Sequence, residues 1–273
     1  MVDCKVLEEY ARKMRVDCAN MFWKWGHGHF GGCYSAAEII AVLYFYVMNV
    51  RPDEPKWAER DRFILSKGHA AAIFFSALAQ KGFIPRQWLE HYGELGANLN
   101  THPSMDRVTG LDVSSGSLGH GLPVGTGMAY AAKMDGKDYM TYVLLGDGEC
   151  HEGMIWEAAM QAGHYGLDNL VAIVDRNRLC IAGDTEQWMR LEPFADKWKA
   201  FNWDVYEVDG HNVQALAETF DRIRAEKNGR PKVIIANTVK GKGVSFMEND
   251  YTWHSNSIDQ AMYDTIMTEL GEQ

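Results

Sequence analysis

Basic residues are in short supply in this chain of 273: 27 lysines and arginines stand against 37 acidic residues, a formal net charge of −10. Phosphate backbones are bound by basic surfaces, so nucleic acid is disfavoured as a partner. Long apolar runs are missing too, and none reaches the ~20 residues of a membrane span. The N-terminus, MVDCKVLEEYARKMR, is charged and helical in pattern, unlike a signal peptide. Only five cysteines occur, at positions 4, 18, 33, 150 and 180, with no CxxC pair and no clustering with histidine. The odd count argues against a disulfide framework and for a reducing compartment, with cytoplasm the default. No GxGxxG follows the first strand with an acidic residue at the right distance, which argues against a nicotinamide-dependent oxidoreductase. Repeats, low-complexity segments and flexible linkers are absent. The 273 residues, 47% hydrophobic, are expected to form a single domain, 1–273, around one large core.

What is present reads as alternating helices and strands. Apolar residues at Val6, Leu7, Tyr10, Met14, Cys18, Met21 and Phe22 predict a helix over 3–25, broken by the run Gly26 to Cys33. Ser35 with Glu38 forms a capping-box pattern, predicting a helix over about 36–48. Strands are expected over 62–66, 142–145, 170–174, 203–208 and 232–238. Helices are expected over 69–80, 118–134, 152–165 and 213–226, with a short one from about Asp259. Residues 95–117 form a loop too long for a mere connection, and so a functional one. This alternation predicts an α/β fold, a parallel sheet with helices on both faces.

The most informative stretch is Gly146-Asp147-Gly148-Glu149, followed at Asp175-Arg176-Asn177. An apolar run leads into each part and a helical stretch lies between, so the pair forms a βαβ unit. Asp147 and Asn177 then sit at the carboxyl ends of two strands, where open α/β sheets bind ligands. A carboxylate and an amide oxygen suit Mg²⁺, which completes its octahedron with water and phosphate oxygens. Gly148 lets backbone approach a phosphate. Four histidines lie in loops, beside glycine or in polar turns: His29, His69, His102 and His254. Imidazoles exchange protons near neutral pH and bond sugar hydroxyls without fixed charge.

GDG followed about thirty residues later by Asn resembles the thiamine diphosphate (ThDP) motif, and GDGECHEGMIWEAAMQAGHYGLDNLVAIVDRN resembles transketolase. DRFILSKGHAA resembles that family's segment whose histidine contacts the cofactor phosphates. GHFGG resembles GHPGG, THPSM resembles GHP, GSLGHG resembles GSLGQG, and VKGKGVSFMEN with WHS resembles the closing motif. The resemblance runs from about residue 5 to 265 and implies a ThDP diphosphate-binding domain. It implies catalytic roles for His29, His102 and His254. It implies cofactor contacts from His69, Gly116, Ser117, Leu118, Gly146, Gly148, Glu149, Glu152, Asn177, Lys240 and His254. The metal ligands it implies are Asp147, Asn177 and the Leu179 carbonyl, holding Mg²⁺ or Ca²⁺. Leu118 would be an apolar prop for the cofactor. Glu152 matches an interface glutamate, or is simply an acid favoured at a helix N-terminus.

The family's pyrimidine-binding and C-terminal domains have no counterpart here, and the ending reads as that of a complete chain. The resemblance therefore implies one subunit of a split transketolase, expected as α₂β₂ with a separate second chain. Its reaction would move a two-carbon ketol unit from a ketose to an aldose, with sugar phosphates as ligands. Phe30, Thr101, His120, Arg178 and Ser255 depart from the family pattern. Phe30 and Thr101 are expected to add bulk near the sugar, and His120 and Arg178 to offer donors to an anion. Together they point to an unusual, sulfonated or branched substrate. Alternatives are a 2-oxo acid dehydrogenase subunit, a 1-deoxyxylulose-phosphate synthase-like protein, or a non-catalytic scaffold of the same fold.

Overall fold

The structure, a computed structural model, describes residues 2–272. In chain order its elements are α1 (Cys4–Trp25), α2 (Phe30–Ser35), α3 (Ala37–Val42), β1 (Arg62–Leu65), α4 (Ala71–Lys81), α5 (Gly121–Met134), β2 (Thr141–Gly146), α6 (Gly153–His164), β3 (Leu170–Arg176), β4 (Leu179–Cys180), β5 (Gly183–Asp184), α7 (Thr185–Trp188), α8 (Phe194–Ala200), β6 (Asp204–Asp209), α9 (Val213–Ala225), β7 (Lys232–Asn237) and α10 (Gln260–Glu269). Five strands form one sheet in the order β1-β2-β3-β7-β6, and every pairing in it is parallel.

Side chains alternate along a strand, so a sheet covered on both faces needs two apolar sets per strand. β2 supplies both. Tyr142 and Leu144 join a core with α1, α3, α4 and α9. Val143 and Leu145 join the opposite core with α5, α6 and α8. β3 divides the same way, with Val171 and Ile173 on one side and Ala172 and Val174 on the other. All seven β3 residues are buried, and the first five, Leu170 to Val174, read as an unbroken apolar run. The expected α/β fold, a parallel sheet with helices on both faces, is the one observed. The order reverses at the β6 edge, and β7 slots between β3 and β6. The carboxyl ends of β1, β2, β3 and β7 therefore lie side by side.

Several local expectations need correction. The capping box at Ser35 and Glu38 does not form. Ser35 lies inside α2, and its hydroxyl donates to Asp175 Oδ2 at 2.6 Å. Glu38 instead accepts from Arg15 and His211, because a buried carboxylate is better satisfied by cations than by its own helix end. The expected helix over 36–48 is α3 continued by one π turn, Leu43–Val47. The break after Gly26 is shorter than expected, since α2 begins at Phe30. α5 begins at Gly121 rather than 118. The loop over 95–117 is confirmed as irregular. No helix among the described residues is long and apolar enough to cross a membrane.

Candidate active site

Four of the five strands, all but β6, deliver their chemistry just past their last residues. β1 leads into Ser66-Lys67-Gly68-His69, β2 into Asp147, β3 into Asn177, and β7 into Lys240. Beneath them lies a buried ion pair that sequence reasoning missed. Lys67 Nζ donates to Asp175 Oδ2 and, at 2.7 Å, to Gly32 O; Lys67 is 2% exposed and Asp175 0%. Asp175 also accepts from Ser35 Oγ (2.6 Å), Thr238 Oγ1 and Asn177 Nδ2 (3.4 Å). One carboxylate thus ties the ends of β1, β3 and β7 to α2. Burial pushes its pKa up, but Lys67 and the hydroxyls outweigh this and hold it below the ordinary value. The one available signal was its place in Asp175-Arg176-Asn177.

The chain after β3 turns sharply because Arg178 adopts a left-handed φ of 66°. That turn lets Asn177 Oδ1 accept from Leu179 N at 3.1 Å, and Asp147 Oδ2 accept from Arg178 N at 2.5 Å. Asp147, Asn177 and Leu179 are thereby locked together. Asp147 Oδ1 accepts from Gly148 N at 2.7 Å, and Arg176 Nη1 reaches Asp147 Oδ2 at 3.3 Å. Burial, and then the charge of Asp175, push the Asp147 pKa up, with Arg176 opposing. Arg176, also unforeseen, is 2% exposed; it donates to Thr185, Glu186 and Glu192, fastening the segment after the β4–β5 hairpin to this carboxylate. The Leu179 carbonyl accepts from Lys240 Nζ at 2.8 Å. A cation of the chain itself thus already sits on an oxygen of the set. The donors are hard oxygens, one of them anionic, and they fit Mg²⁺ or Ca²⁺.

Three of the four histidines form one cluster. Ring centroids are 5.4 Å apart for His29 and His69, 5.8 Å for His29 and His254, and 5.0 Å for His69 and His254. His254 Nδ1 lies 3.2 Å from Lys240 Nζ. Burial, then neighbouring His102, His27 and Lys240, push the His29 pKa down to about 4. Burial, then Lys240, take His254 to about 3, and burial, then Lys67, push His69 well below its ordinary value. These rings are neutral at pH 7. His102, exposed, comes from the 95–117 loop and borders Gly116, where an added Cβ would stand 3.3 Å from its ring.

The glycines of the site have identifiable neighbours. A Cβ on Gly31, in the GHFGG segment, would lie 2.8 Å from Lys240 Cγ and 2.9 Å from Trp253 O, so the stem of Lys240 needs that glycine. A Cβ on Gly148 would lie 2.9 Å from Cys180 Cβ. Ser117 and Leu118 are exposed, Leu118 by 37%. Glu149 is buried with both oxygens engaged, accepting from Ser66 Oγ, Gly119 N (2.9 Å) and Gly146 N (3.0 Å). It binds the GSLG and GDG turns to each other. Glu152 is exposed at the N-cap of α6, and its side chain makes no capping bond.

The departures from the family pattern fall in different places. Phe30 is 0% exposed and packs edge-on against Phe22, Tyr34 and Trp253, so it fills the core; the expectation of bulk near a sugar is corrected. Ser255 Oγ pairs with His27 Nε2 at 2.7 Å and helps seat the closing segment against the end of α1. Thr101 is half-buried, and His120 and Arg178 are exposed.

Comparison with known proteins agrees with this geometry. Residues 6–273 match the family described as "Transketolase, thiamine diphosphate binding domain". The chain is 46% identical over 269 residues to an apulose-4-phosphate transketolase subunit of Phocaeicola vulgatus, covering 98% of this chain and 95% of that protein. It is 40% identical over 267 residues to the 6-deoxy-6-sulfo-D-fructose transketolase subunit SqwG of a Clostridium species, covering 98% and 97%. Among solved structures, transketolase from Campylobacter jejuni superposes with a TM-score of 0.93 at 28% identity. That match covers all of this chain and 44% of the solved one. The chain belongs to the transketolase family and corresponds to its thiamine diphosphate binding domain.

Proposed function

We propose that this chain is the diphosphate-binding subunit of a two-chain transketolase, which moves a two-carbon ketol unit from a ketose to an aldose. The observation that carries the reading is the oxygen set of Asp147, Asn177 and Leu179 beside a cluster of neutral imidazoles. These lie in a chain that spans nearly the whole of two proteins named as transketolase subunits but 44% of a solved transketolase. The chain acts as one domain, and a second chain supplies the pyrimidine-binding half in an α₂β₂ assembly.

Asp147, Asn177 Oδ1 and the Leu179 carbonyl hold Mg²⁺ or Ca²⁺. Gly116 and Ser117 offer backbone N–H groups to the diphosphate, Gly146 and Gly148, whose own N–H groups are held by Glu149 and Asp147, leave it room to approach the backbone, and His69 bonds it as a neutral donor. Leu118, exposed here, gives the cofactor an apolar surface. ThDP, when bound, supplies a centre that stabilises a carbanion. His29, His102 and His254 face the sugar, and the neutrality of His29 and His254 lets each donate or accept a proton at a hydroxyl. Lys240 adds positive charge beside the diphosphate and fixes the orientation of His254 through Nδ1. The two similar proteins bear names for a branched sugar phosphate and a sulfonated sugar, which supports a ketose donor with a distal anion.

The test is reconstitution with the candidate second chain, ThDP and Mg²⁺, with apulose 4-phosphate, 6-deoxy-6-sulfofructose, fructose 6-phosphate and pyruvate as donors. Ketol transfer from a ketose by the mixture, and none by this chain alone, is expected. Turnover of pyruvate only, or ketol transfer by this chain alone, would sink the reading.

A further inference from the structure

Lys240 reaches its place because each residue leaving β7 is pinned in turn. Thr238 Oγ1 donates to Asp175, Val239 N donates to His211 Nε2 at 2.8 Å, and Lys240 Nζ donates to the Leu179 carbonyl. The middle pin fixes chemistry as well as position. A backbone N–H can only donate, so His211 Nε2 must hold a lone pair and the ring proton must sit on Nδ1. Nδ1 lies 2.9 Å from Glu38 Oε2. Glu38 is gripped by Arg15 at 2.6 and 2.7 Å, and Arg15 donates further to the Tyr34 carbonyl at 2.8 and 3.2 Å. Arg15 and Glu38 are 6% and 8% exposed. The loop after β6 supplies His211, whose own N–H donates to Asp209 Oδ1 at 2.9 Å.

We propose that His211 is a positioning residue for Lys240: its Nε2, left as an acceptor because Nδ1–H is turned to Glu38, pins the backbone at Val239, and so sets where Lys240 and its neighbour His254 stand. The imidazole is suited to this because its two nitrogens can be acceptor and donor at once, which neither a carboxylate nor an ammonium provides. The inference rests on the reading of Lys240 as part of the cofactor site, but its first two tests do not.

The two halves of the ring can be separated by substitution. His211→Gln places an amide oxygen near the position of Nε2 and keeps an acceptor for Val239. His211→Asn places an amide nitrogen near Nδ1, keeping a donor to Glu38 and losing the acceptor. Nitrogen-15 spectra of the purified chain should give His211 a protonated Nδ1 and a lone-pair Nε2; the opposite tautomer overturns the proposal. Amide exchange at Val239 and Lys240 should speed up on the order of five-fold in His211→Asn, the loss of one hydrogen bond. It should stay close to wild type in His211→Gln, with β2 and β3 unchanged in both. Equal exchange in all three proteins, or equal loss in both variants, overturns it. In the assembled enzyme the KM for ThDP should rise about five-fold in His211→Asn with recovery in His211→Gln, the same single bond being at stake. If wild type itself binds no ThDP, the proposed function fails, and the spectra and exchange rates alone decide the fate of the positioning role.

Discussion

Removing either half of the buried Lys67–Asp175 pair has a cost that the surroundings make unequal. In Asp175→Asn, the Lys67 ammonium stays 2% exposed with only neutral acceptors, the Gly32 carbonyl and the new amide oxygen. An uncompensated buried charge of this kind costs about 3–5 kcal/mol. In Lys67→Met, Asp175 keeps donors from Ser35, Thr238 and Asn177. Those bonds satisfy part of the carboxylate, so the expected cost is smaller, about 2–3 kcal/mol. The double variant leaves neither charge and should recover to within about 1–2 kcal/mol of wild type. Urea unfolding of the purified chain measures all three. With m near ~3 kcal/mol/M for a chain of this size, Asp175→Asn should lower the midpoint by about 1 M or more. pH gives a second handle. The folded pKa of Asp175 lies below its unfolded value, so the stabilisation is complete above the ordinary carboxylate range and is lost as pH falls through the folded value. The stability gap between wild type and Lys67→Met should therefore be full near neutral pH and narrow as pH falls through that value. A cost for Asp175→Asn under about 1 kcal/mol, or a double variant whose cost equals the sum of the two singles, would refute the reasoning.

Further outcomes follow from the same geometry. His29 and His254, with pKa values pushed down to about 4 and about 3, should show no proton titration by NMR between pH 8 and 5; a midpoint near the ordinary ~6.5 for either would contradict their neutral role. Gly31→Ala drives a methyl into the Lys240 stem and Trp253 O, and should cost about 1–3 kcal/mol in thermal unfolding. It should also raise the KM for ThDP more than it lowers kcat. Asp147→Asn keeps shape and removes the anion of the oxygen set. Calorimetric titration of the proposed two-chain assembly with Mg²⁺ in saturating ThDP should then show at least a ten-fold weaker metal, and unchanged affinity would remove Asp147 from the proposed ligand set.

Much of this is legible in the sequence because strands and motifs coincide. The apolar runs before Gly146 and Asp175 mark the βαβ unit, since a parallel strand buried on both faces has no polar alternation to confuse it. The histidines are locatable because each sits in a loop, beside glycine or in a polar turn. What escapes is contact between residues far apart in sequence. Nothing local marks Lys67 as the partner of Asp175, 108 positions on. Nor does anything mark His211 as the acceptor for Val239, or Arg176 as the clasp on Asp147. Phe30 misleads for a related reason. It adjoins His29, but a helix starts there, and the next residue of a helix points about 100° away from the last. The Ser35–Glu38 pattern fails because Arg15 and Asp175, both distant in the chain, offer these side chains better partners than a helix end could.

The Lys240 contact with the Leu179 carbonyl bears on when the protein can be loaded. Small metal domains often cannot fold until the ion arrives, because their ligands repel one another or lie unsatisfied without it. Here Lys240, Arg176 and Lys67 already balance the carboxylates of Asp147 and Asp175, and backbone N–H groups occupy lone pairs of Asp147. Folding is therefore uncoupled from metal supply. The chain can reach its mature shape first, and on the proposed function a second chain, cofactor and ion would enter afterwards as cargo to a finished berth.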